Sequence, residues 1–166
     1  MTAGQLSWRM SKPSFVVGVV MLVLASTAWA GQAFECGGAR VTITVVSKPS
    51  GPMEERARTT IAVTRDGAVR ELSYVGGIDF VGGHCVKAAD GRPLVVFQAY
   101  CGGSGCQDLD NWGIVDPRSL QVLLAPHDGN RKEAQRILGG APVAPRKMLS
   151  VEREGEASGK RRPGAP

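Results

Sequence analysis

Aromatic and imidazole side chains are scarce in this chain: Phe, Tyr and Trp make up 5% of 166 residues, and there are two histidines. With so few imidazoles, histidine-based acid–base or metal chemistry is confined to the surroundings of His84 and His127. Paired C-x2-C knuckles are missing too, so the four cysteines do not have the spacing of a zinc site. Neither a G-x-G-x-x-G turn nor a lysine-containing phosphate loop occurs, which removes the common nucleotide cradles. Repeats with a period of about 20–50 residues are absent. We therefore expect no cofactor and no metal.

The net charge of +5 is unevenly spread. Residues 31–140 hold twelve Lys/Arg and twelve Asp/Glu, and the excess lies in the first thirty residues and in 141–166. Nucleic-acid binders carry positive charge on the folded surface, so no nucleic-acid partner is expected. Lys160-Arg161-Arg162 reads as part of a solvated tail.

Residues 1–30 have the features of a cleaved signal peptide. Arg9 and Lys12 precede an apolar run from Phe15 to Ala25, and Ala28-Trp29-Ala30 supplies small residues at −3 and −1. The run is well short of the roughly 20 residues that cross a bilayer. Translation from Met1 or from Met10 leaves Lys12 ahead of the run, and Gly31 becomes the mature N-terminus. The expectation is a periplasmic or secreted protein with no membrane span in its mature form. One globular domain covers 31–140, and a disordered Pro/Gly/charged tail covers 141–166.

All four cysteines, Cys36, Cys85, Cys101 and Cys106, fall after residue 30. An even count in an exported chain reads as two disulfides. Gly-Gly-Ser-Gly between Cys101 and Cys106 lets the backbone close on itself. If Asp90–Pro93 turns a hairpin, Cys85 faces a position near Val96 to Gln98 and not Cys101. Cys101–Cys106 with Cys36–Cys85 is therefore the preferred pairing, and the second bridge contributes roughly 4 kcal/mol on the chain-entropy account.

Strand patterns dominate the rest. Arg40–Ser47 alternates Val41, Ile43 and Val45 with Thr42 and Thr44. Lys48–Arg56, with two prolines and a glycine, reads as an exposed loop. Thr59–Arg65, Asp66-Gly67 and Ala68–Val75 form a two-residue-turn hairpin that sets Ile61 opposite Leu72 and Thr59 opposite Tyr74. Gly76-Gly77 and Gly82-Gly83 bracket a short Ile78–Val81 piece, and His84–Ala89 is a weaker strand. Leu94–Tyr100 is apolar on both faces, the mark of a strand in the middle of a sheet. Trp112–Val115 and Leu120–Leu124 flank an Asp116–Ser119 turn, with Val115 beside Leu120 and Trp112 beside Leu123. One helix follows: Asn130 caps it with Glu133, Ala134, Ile137 and Leu138 form its stripe, and Gly139 stops it.

These elements give an α+β fold, a mostly antiparallel meander sheet of six to seven strands with one short C-terminal helix; a small β-sandwich or barrel is the alternative. The stretch where strand ends and unusual chemistry coincide is 101–112. Tyr100, Gly102, Gly103, Ser104, Gly105, Asp108, Asp110, Asn111 and Trp112 are its candidate contact residues, because a disulfide-tied loop loses little entropy on binding. Asp108, Asp110 and Asn111 are too few oxygens for a calcium loop. The function expected is that of an exported non-enzymatic binding or inhibitor-type module of the cell envelope, with an envelope or extracellular protein as partner. The alternative is a periplasmic thiol–disulfide or hydrolytic enzyme centred on Cys101/Cys106 or His84.

Overall fold

Alternation along the chain dictates the first half of the fold. In the computed structural model, which describes residues 31–47, 57–102 and 110–160, β1 (Gly31–Cys36), β2 (Ala39–Ser47), β3 (Ala57–Arg65) and β4 (Ala68–Val75) form an antiparallel meander in sequence order. Val41, Ile43, Val45, Ile61 and Val63 point inward and are almost wholly buried. Asp66 and Gly67 both take positive φ, at 50° and 81°, so the turn twists with the strands as two-residue hairpins require. The pairs Ile61↔Leu72 and Thr59↔Tyr74 are those the pattern predicts. The loop expected at Lys48–Arg56 lies outside the described residues.

The second half forms a five-stranded antiparallel sheet. It is built from β5 (Phe80–Lys87), β6 (Pro93–Tyr100), β7 (Trp112–Asp116) and β8 (Gln121–Leu124). After α1 (Arg131–Leu138), the chain returns as β9 (Leu149–Ser150) to the free side of β5, giving the order β8-β7-β6-β5-β9, and then enters α2 (Val151–Lys160). The α+β meander is thus as expected; among the described residues nine strands in two sheets stand in place of six or seven, and α2 is a second helix beside the one expected.

The two sheets face each other. Val95, Phe97, Ala99, Val81 and Val115 from the second meet the inward face of the first in one core. The opposite face of β6 carries Leu94 and Val96, which pack with Trp112, Ile114, Ala134 and Leu138 beneath α1. β6 is therefore central and covered on both faces, as its unbroken apolar run predicts.

Four expectations need correction. Gly82 and Gly83 do not break a strand but lie inside β5. A side chain at Gly82 would collide with the Lys147 carbonyl and Met148, and one at Gly83 would press on Ile43 and Phe97, so both glycines answer to close approach. Cys85 pairs with Val95, one position before the expected stretch. The β7–β8 register is shifted as well: Val115 faces Val122 and Ile114 faces Leu124 across a bulge. Leu120 sits in the turn at φ 58°, which lengthens the connection by a residue. Finally, residues 141–160 are not a disordered tail. Pro142, Pro145, Leu149 and Val151 are buried, β9 completes the second sheet, and α2 packs beside β2 and β3.

Candidate functional site

The 101–112 loop leaves the centre of the second sheet, and both of its stems are tied down. Asp79, just before β5, does most of this at the first stem. Its N–H donates to the Tyr100 carbonyl at 2.9 Å, and its Oδ2 accepts from the Gly102 N–H at 2.7 Å. Its own carbonyl accepts from the Val151 N–H at 2.8 Å, coupling the stem to the start of α2. The Tyr100 ring lies 5.5 Å from that of Phe80. Cys101 is disulfide-bonded. A side chain at Gly102 would run into the Phe80 ring, so this glycine is needed where it stands. Gly103, Ser104, Gly105, Cys106 and Asp108 lie outside the described residues.

At the second stem, Asp110 accepts from Arg131 Nε at 2.6 Å, and its carbonyl accepts from the Asn130 N–H at 3.1 Å. Asn111 Nδ2 donates to Asp128 Oδ1 at 3.2 Å. Trp112 differs from its neighbours: it is 1% exposed and is a core residue under α1, so it offers no contact surface. Asn130 does not cap α1 with its side chain. It is buried instead, with Oδ1 accepting from the Trp112 N–H and Nδ2 donating to the Trp112 carbonyl, both at 2.8 Å. Glu133 likewise turns outward, to His127 Nε2 at 3.3 Å. The capping-box spacing is present, but satisfying the buried β7 backbone matters more than capping a surface helix.

A second recessed region surrounds His84. β9 pairs with β5 only at Phe80 and Val81. Before that point the chain from Val143 to Lys147 runs beside β5, leaving a cleft of about 430 Å³ lined by Gln32, Gly83, His84, Cys85, Val86, Val143, Ala144, Arg146 and Lys147. The Gln32 amide acts here like a short strand: Nε2 donates to the Gly83 carbonyl at 2.7 Å, and Oε1 accepts from the Gly83 N–H at 3.1 Å. Cys85 is bridged to Cys36 with 5.2 Å between Cα atoms, the expected pairing. His84 is half-buried, and its Nδ1 is enclosed without a hydrogen-bond partner among the described residues. Burial first, and the Arg146 charge second, push its pKa below the ordinary 6.5.

Among the described residues the cleft lining holds no carboxylate, hydroxyl or free thiol, so the Ser–His or Cys–His pairing of a hydrolytic centre is not assembled there. The sequence reading missed this cleft because it assigned Arg146 and Lys147 to a disordered tail. Pro142, Pro145, Leu149 and Val151, spaced through that tail, were the signal that it packs. Comparison with known proteins finds no family model, no curated protein and no solved structure that matches this chain.

Proposed function

We propose that the protein is an exported, non-enzymatic binding module of the cell envelope that contacts a partner protein through the 101–111 loop. The observation that carries this reading is the double tether of the loop: Asp79 holds Gly102 and Tyr100 at one stem, while Arg131, Asn130 and Asp128 hold Asp110 and Asn111 at the other. A loop held at both ends and bridged at Cys101 has already lost much of the freedom that binding would otherwise remove. Export is supported by the leader pattern of residues 1–30 and by the use of cysteine in disulfides, which persist in oxidising compartments. No described helix is long and apolar enough to cross a membrane. A hydrolytic role at His84 lacks comparable support, since no carboxylate, hydroxyl or free thiol lines its cleft among the described residues.

The test is Ser104→Arg with Asp108→Arg, read by the proteins captured from an envelope extract and by thermal melting. Gly102 is left alone because any larger residue meets Phe80. Lost capture with unchanged melting is expected. Undiminished capture removes the loop as the contact surface.

A further inference from the structure

The His84 cleft has a chemistry of its own, apart from the loop. Its charged side chains are all of one sign: Arg146 and Lys147 stand exposed on one wall, and neither forms an ion pair or hydrogen bond among the described residues. Two neighbouring cations with no counter-charge raise the local potential and attract an anion. The guanidinium of Arg146 offers a planar fork that fits two oxygens of a carboxylate.

Two further polar side chains, Gln32 and His84, line the same space. Gln32 uses one hydrogen of its Nε2 on the Gly83 carbonyl, and an amide nitrogen carries two. The half-buried His84 ring lines the cleft as well, while its Nδ1 is enclosed and so is no donor to a ligand there. The remaining lining is apolar, from Val86, Val143, Ala144 and the bridged Cys85. At about 430 Å³, the cleft lies within the size range of small-ligand sites.

We propose that this cleft binds a carboxylate carried on a short aliphatic stem, with the carboxylate on Arg146 and Lys147 and the stem against Val86, Val143 and Ala144. Apolar walls beside cationic donors favour such a ligand over a fully polar anion such as phosphate. A free dicarboxylate and a glutamate side chain of a peptide share this chemistry.

NMR titration of the oxidised protein tests the proposal, using glutarate, a blocked Glu-containing tetrapeptide and inorganic phosphate as probes. We expect saturable shifts of the His84 ring and Lys147 amide signals with at least one carboxylate probe at low millimolar concentration, and a weaker response to phosphate. If the tetrapeptide binds more tightly than glutarate, the source is a peptide; the reverse order points to a free dicarboxylate. Arg146→Ala with Lys147→Ala should weaken the carboxylate response at least tenfold. Arg118→Ala with Lys132→Ala, which removes exposed cations elsewhere, should leave it unchanged. No saturable shift with either carboxylate, an equal response to phosphate, or binding that survives Arg146→Ala with Lys147→Ala overturns the proposal. The loop variant Ser104→Arg with Asp108→Arg should leave this response intact, which separates the two sites.

Discussion

The two sheets solve the same packing problem under different constraints. The four-stranded sheet buries one face, so its strands alternate: Val41, Ile43 and Val45 turn in, while the other face of β4 leaves Val69 56% exposed. Past the first residue of β1, its described glycines sit at turns with positive φ, as at Gly37, Gly38 and Gly67. The five-stranded sheet is covered on both sides, and apart from Gly91 in a turn, Gly82, Gly83 and Gly113 lie within its strands, where they make room. Phe97 shows this best. Its cross-strand neighbours are Gly83 on β5 and Gly113 on β7, and its ring lies where a Gly113 side chain would be. A sheet with one wet face can vary its surface freely, whereas a sheet enclosed on both faces must fit each residue to its neighbours.

Substitutions that add one carbon should break this contrast most sharply. Gly113→Ala forces a methyl group into the Phe97 ring and should cost about 2–3 kcal/mol in urea denaturation. Val69→Thr, on the wet face of the first sheet, should stay within about 0.5 kcal/mol. Equal losses would show that the enclosed sheet relaxes as easily as the open one.

The inner face of the first sheet has one flaw that sharpens the comparison. Thr59 is fully buried, and its Oγ1 has no partner among the described residues. Thr59→Val keeps the shape and removes an unsatisfied hydroxyl, so it should stabilise the protein by about 1 kcal/mol. A loss of stability in thermal melting would mean that the hydroxyl is satisfied after all.

The smallest expected effect is a pH slope carried by the second sheet. Because the folded pKa of His84 lies below 6.5, the unfolded chain takes up its proton first as pH falls. Stability should therefore drop as pH falls through 6.5 toward the lower folded value, and be unaffected by this group above 6.5. His84→Gln should flatten that part of the profile when urea midpoints are compared from about pH 8 to about pH 5. An unchanged slope in the variant would assign it to other groups.

The contrast also explains what could be read from the sequence. Period-two alternation and Asp66-Gly67 gave the first hairpin its correct register, because one dry face leaves only one workable pairing. The apolar run in β6 identified the centre of the second sheet. Gly82-Gly83 misled because a glycine that makes room and a glycine that breaks a strand look alike in sequence. Leu120 at positive φ moved the β7–β8 register without any turn residue to announce it. At the candidate sites, the loop was visible in its cysteines and glycines, but its clamps were not. Asp79, Asn130 and Arg131 lie about twenty residues from the positions they hold. The His84 cleft depends on β5 meeting residues sixty positions later, and no local pattern encodes that meeting.

The Cys36–Cys85 bridge is asymmetric: Cys36 is 2% exposed, while Cys85 is open to solvent. Attack from the exposed Cys85 side would have to expel Cys36 as an anion into apolar surroundings. Such a site disfavours the thiolate and makes it a poor leaving group. The staple between the sheets should thus resist glutathione at rates that leave exposed bridges open, so the folded protein can tolerate passing reductants without losing its shape.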